Sequence, residues 1–121
     1  MTHKRIKTGS YGEELAAKFL RKEGLKIIMR NYRCSLGEMD IIAQDNQTLV
    51  FAEVRTRSTG RMGWGEESIN YQKRLRLQKI ATYFIKEKKY KNWPQIRIDC
   101  IAIRTSENQG KTPEIRWIKG I

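Results

Sequence analysis

Two apolar runs joined by a polar turn, GEMDIIAQDNQTLVFAEVRTR between Gly37 and Arg57, constrain this chain more than any other segment. Neighbouring side chains on a strand point to opposite faces. In the second run Leu49, Phe51, Glu53 and Arg55 therefore share one face, and Val50, Ala52 and Val54 the other. Both faces begin apolar, the mark of a central strand in a sheet covered on both sides. One face then becomes charged at the strand's end. In the first run the same alternation sets Met39, Ile41 and Ala43 against Glu38, Asp40 and Ile42. Asp45-Asn46-Gln47 is turn chemistry, so the runs form an antiparallel hairpin that brings Asp40 near Glu53.

A buried carboxylate is costly unless a cation, a metal or a function accounts for it. Glu53 and Arg55 leave one face about 6.6 Å apart. Asp40 and Glu53 together suit Mg²⁺, a hard cation that binds through one or two carboxylates plus water and phosphate. An ordinary ion pair at a strand end, with Asp40 as a hairpin charge, is the competing reading of the spacing.

The remaining chain alternates helices and strands. Gly12 to Glu23 reads as a helix with Leu15, Ala16, Phe19 and Leu20 on its apolar stripe and Gly24 as its stop. Glu13 falls on the flank of that stripe, whereas Glu14 points away. Glu13 can thus approach the sheet, or pair with a basic neighbour. Lys26 to Arg33 is a first strand. Gly60 to Gly65 is a glycine-rich loop beside the site, in which Trp64 either packs under its own loop or stacks on a base. A long helix over 68–89 carries Leu75, Ile80, Ala81, Phe84 and Ile85 inward and a largely cationic face outward. Gln95 to Ile103 is a strand in which Asp99 partners a nearby arginine, with an auxiliary role at the site as the other reading. Glu107 to Pro113 is a polar loop, and Glu114 to Ile118 a final edge strand.

Composition points to a polyanion. Lys and Arg number 25 against 13 Asp and Glu, a formal charge of +12 over 121 residues with a pI near 10.0. Such an excess suits nucleic acid, with anionic membrane, ribosomal RNA or a merely solvated surface as other uses. Arg57 at the strand end, Arg61 in the loop and Lys73 at the helix start are the candidate nucleic-acid contacts. The length allows one domain, residues 1–121, with a flexible basic tail over 1–8. That amino end lacks an apolar run, so no signal or membrane anchor is expected and the location is read as cytoplasmic. Cys34 and Cys100 follow no zinc-ligand spacing and are expected as reduced thiols, with a disulfide between them as the alternative. The single histidine, His3, argues against histidine-based catalysis.

Asp40 followed across a hairpin by Glu53-Val54-Arg55 resembles the signature of the PD-(D/E)XK nucleases, with Arg in the lysine position. Nearly the whole chain is similar to the YraN-like family of bacterial proteins, described as predicted endonucleases related to Holliday junction resolvases. Gly9-Ser10-Tyr11-Gly12-Glu13 with Ala16, Arg30-Asn31-Tyr32-Arg33, Gly37-Glu38-Met39-Asp40, Phe51-Ala52-Glu53-Val54-Arg55 and Ser68-Ile69 with Lys73 carry that similarity.

The resemblance implies an α/β, restriction-endonuclease-like sandwich with one mixed central sheet flanked by helices. It implies Asp40 and Glu53 as ligands of Mg²⁺, for which Mn²⁺ substitutes, Glu13 as an assisting glutamate, and Lys73 near the metal site. Arg55 takes the place of lysine, and a guanidinium with a pKa above about 12 does not serve as a base. Its expected role is to clamp phosphate or stabilise transition-state charge. The implied activity is metal-dependent phosphodiester hydrolysis on DNA, including branched structures, and resolving a junction would further require a homodimer. A non-catalytic nucleic-acid-binding module, or a basic adaptor in a protein or ribosome complex, are the alternatives.

Overall fold

The structure, a computed structural model, describes residues 2–58, 69–105 and 112–121, with side chains described from Tyr11 up to Arg57 in the first of these segments. Seven elements follow in order: α1 (Thr2–Lys22), β1 (Lys26–Cys34), β2 (Gly37–Asp45), β3 (Thr48–Ser58), α2 (Tyr71–Glu87), β4 (Gln95–Thr105) and β5 (Glu114–Ile118). The strands lie side by side in chain order in one sheet. β1–β2, β2–β3 and β4–β5 pair antiparallel, whereas α2 carries the chain back so that β4 lies parallel to β3. The fold is the α/β sandwich expected, with a mixed sheet between two helices and β5 at an edge.

The hairpin forms where the turn chemistry placed it, with Asp45 opposite Thr48. Asn46 supplies the left-handed backbone there at φ 54°, a conformation asparagine tolerates. α1 ends on Gly24 at φ 97°, and the Leu25 amide donates back to the Leu20 carbonyl. Its start is different: the helix runs from Thr2 through the segment expected as a tail, ten residues before Gly12. α2 starts behind Asn70, whose side chain accepts the Lys73 amide at 2.9 Å, rather than near Ser68.

Each sheet face has its own core. On one, Leu77, Ile80, Ala81, Phe84 and Ile85 of α2 pack on Ile42, Leu49 and Phe51. On the other, Ala16, Ala17 and Leu20 of α1 pack on Ile41, Ala43, Val50 and Ala52. Each large side chain so buried contributes about 1.5–3 kcal/mol. The α2 stripe begins at Leu77, not at Leu75, which is half exposed. Positions 77, 80, 81, 84 and 85 follow the i, i+3, i+4, i+7, i+8 spacing of one helical face, and Leu75 lies outside it.

The alternation expected for β2 also fails at one point. Met39 joins the core under α2 together with Tyr32 opposite it, while Ile41 joins the core under α1. Arg30, opposite Ile41, likewise reaches Glu14 of α1 at 2.8 Å. Both strands therefore change face between one pair and the next. Between these pairs lie Asn31, at φ 55°, on β1 and Asp40 on β2. A left-handed residue within a strand reverses the side-chain order, and this one does so beside the candidate site.

Candidate metal and phosphate site

Asp40 sits where the sheet opens. The β2–β3 pairing runs from Asp45↔Thr48 to Ile41↔Ala52 and stops, while β3 continues beside β4 as far as Ser58↔Thr105. Beyond Ala52, β3 has lost its partner on the β2 side. The Val54 amide there donates instead to Asp40 Oδ2 at 2.7 Å, so a carboxylate replaces the missing ladder bond.

Glu53, only 7% exposed, follows Phe51 on the face toward α2. Its Oε2 lies 3.3 Å from the Arg55 guanidinium and 3.4 Å from Lys73 Nζ. Lys73 stands in the first turn of α2, which crosses to the strand end from twenty residues further along the chain. Burial, then the charge of Glu53, push the Asp40 carboxyl up to about 7, with the Val54 amide opposing them and Glu13 and Glu38 adding smaller repulsion. Two carboxylates sharing one low-dielectric spot resist being ionised together, and a divalent cation removes that conflict.

Glu13 approaches from the α1 layer. Gly12 packs on β3 so closely that a Cβ there would collide with Thr56 Oγ1, and this contact draws the start of the apolar stripe down onto the strand. Burial raises the Glu13 pKa above the usual carboxylate range, opposed by a side-chain hydrogen bond from Asn31 and by the charge of Arg30. Glu14 instead takes the Arg30 guanidinium. The helix thus separates the two glutamates as their positions on it implied. Glu13 acts on Asp40 through its charge only: among the described residues no three His, Cys, Asp or Glu side chains gather closely enough to hold one ion.

The donor set that remains is Asp40 with Glu53, hard oxygens in the number Mg²⁺ takes from a protein when water and phosphate complete its shell. Arg55 fits the phosphate side of such a site, because its Nε is buried without a protein partner. Arg57 is exposed at the end of β3, where its carbonyl accepts from Thr105 Oγ1 at 3.4 Å. Arg61 and the Gly60–Gly65 loop with Trp64 lie outside the described residues, as does most of the 107–113 loop.

Asp99 is structural. Fully buried, it accepts from Arg97 at 2.9 and 3.0 Å, from Trp117 Nε1 at 2.8 Å and from the Gly120 amide at 3.0 Å, and Arg97 also reaches Asp45 at 3.2 Å. This network ties β5 and the hairpin to β4, well satisfied for a buried charge. Cys34 and Cys100 form no disulfide.

Asn31 was not among the candidate residues. Its signal lay in the sequence: an asparagine inside an otherwise strand-forming segment is a poor strand residue and a tolerated left-handed one.

The fold and the opened sheet with its carboxylate pair define a restriction-endonuclease-like α/β sandwich. Within that class the chain belongs to the family described as Uncharacterised protein family UPF0102, whose model matches residues 12–103. A UPF0102 protein of Desulfitobacterium hafniense (strain DSM 10664 / DCB-2) is 57% identical over 121 residues, covering all of both chains. One of Mycolicibacterium vanbaalenii is 36% identical over 120 residues, or 99% of this chain and 97% of its own. One of Caldicellulosiruptor saccharolyticus is 46% identical over 95 residues, 78% of this chain and 80% of its own.

Proposed function

We propose that this protein is a Mg²⁺-dependent endonuclease that hydrolyses phosphodiesters in DNA, branched DNA included. The observation that carries the reading is the buried Asp40 carboxyl at the point where β2 and β3 part, its pKa raised by burial and then by the charge of Glu53. Asp40 and Glu53 would hold the ion, which when bound lowers the pKa of a coordinated water and neutralises the scissile phosphate. Arg55 binds a phosphate oxygen through its fork of donors and stays charged throughout. Lys73 holds Glu53 in place from α2 and adds positive charge on the side the phosphate enters. Glu13 adds negative charge on the α1 side. The +12 surface collects the polyanion.

Purified protein incubated with linear, single-stranded and four-way-junction DNA in Mg²⁺ or Mn²⁺ tests this. Cleavage is expected from the wild type, with loss in chelator and in Asp40→Ala and Glu53→Ala. Identical products from all three proteins would refute it.

One observation favours a second reading, a nucleic-acid-binding module without turnover. Glu53 already has two cations, Arg55 and Lys73, within 3.4 Å, so an ion pair satisfies it without metal. That module binds DNA equally with and without chelator and cuts none.

A further inference from the structure

Where α2 meets the β1–β2 turn lies a groove of about 470 Å³ between Leu75, Tyr83 and Leu36, with Lys79 and Lys86 along it and neither Asp40 nor Glu53 in its lining. Leu36 is 42% exposed and Tyr83 41%, so two large apolar side chains face solvent together. Local backbone builds the groove. Gly37, at φ 141°, lets the β1–β2 turn lie against α2, where a Cβ would press on Ile80 Cδ1 at 3.2 Å. The turn thereby sets Leu36 beside the helix, where one side of it stays open to solvent.

We propose that this groove docks an acidic peptide segment of a partner protein, whose apolar side chains enter between Leu36, Leu75 and Tyr83 while its carboxylates meet Lys79 and Lys86. Charge complementarity selects this occupant. Among the described residues no acidic side chain lines the groove, so neither lysine meets a carboxylate among that lining. A second copy of this chain, paired about a two-fold axis, would bring lysines against lysines. A phosphate backbone would satisfy the lysines and leave the apolar floor uncovered. The proposal is independent of the nuclease reading.

Fluorescence anisotropy with a labelled decapeptide tests it, the probe carrying consecutive aspartates followed by Leu and Phe. Binding is expected, weakened about tenfold by Tyr83→Ala or Leu36→Asp and abolished by Lys79→Glu combined with Lys86→Glu, with circular dichroism confirming the fold of each variant. Replacing Leu and Phe of the probe by Ser should weaken it comparably, and Asp40→Ala should leave it unchanged. No binding by the wild type, equal binding by the groove variants, or displacement of the peptide only by duplex DNA would overturn the proposal. So would a concentration-dependent dimer that Leu36→Asp dissociates.

Discussion

Asp40 Oδ2 accepts the Val54 amide at 2.7 Å, across the gap where β2 no longer pairs with β3. The carboxyl is thereby fixed beside Glu53 and held up to about 7, mainly by burial and by its neighbour's charge. In the unfolded chain it ionises near 3.8. Between those values the folded protein keeps a proton that the unfolded chain has lost. This contribution is therefore fully present below pH 4 and disappears as pH rises through 7. Urea titrations across that interval should show wild type losing about 3 kcal/mol relative to Asp40→Asn. Excess Mg²⁺ should reduce the loss, because a bound cation favours the ionised form.

Asn31 holds φ 55° where β1 and β2 change face. Asn31→Gly keeps that backbone and removes only the side chain, whereas Asn31→Val forces a β-branched residue into the left-handed region. The valine variant should be less stable than the glycine variant by about 1–2 kcal/mol in chemical denaturation. Equal stabilities would mean that the conformation carries no constraint.

Gly12 meets Thr56 with no room for a methyl group. Gly12→Ala should cost about 1–3 kcal/mol, since helix and strand must separate. Thr56→Ala removes the obstructing oxygen, so the double variant should recover most of the loss in a thermal or denaturant titration. Additive losses would place the strain elsewhere.

Arg55 and Lys73 both touch Glu53, yet the proposed roles differ. Arg55→Ala should lower cleavage about 100-fold, the scale of one lost charge-stabilising donor, while Arg55→Lys retains more of it because a cation remains. Lys73→Ala should weaken DNA binding across sequences and reduce the slope of log affinity against log salt by about 1. An unchanged slope would remove Lys73 from the phosphate contacts.

Local pattern determined much of this protein. The period-2 runs on either side of the Asp45-Asn46-Gln47 turn specified a hairpin inside a covered sheet, Gly24 a helix stop, and the position of Asp40, Glu53 and Arg55 toward the far end of that hairpin, because each depends on neighbours along the chain. Leu77 was equally legible, since the helical spacing of the α2 stripe starts from it. Tertiary structure alone decided the rest. Strand alternation places Met39 with Ile41, yet in the sheet they enter opposite cores, at the level of the left-handed Asn31 on the neighbouring strand. Lys73 reaches Glu53 because α2 crosses the sheet, Asp99 gathers Arg97, Trp117 and Gly120 from different strands and the carboxyl end, and Leu36 gains its groove by leaning on a helix forty residues away. Contacts between distant segments are set by how the layers pack, and a one-dimensional period does not encode that distance.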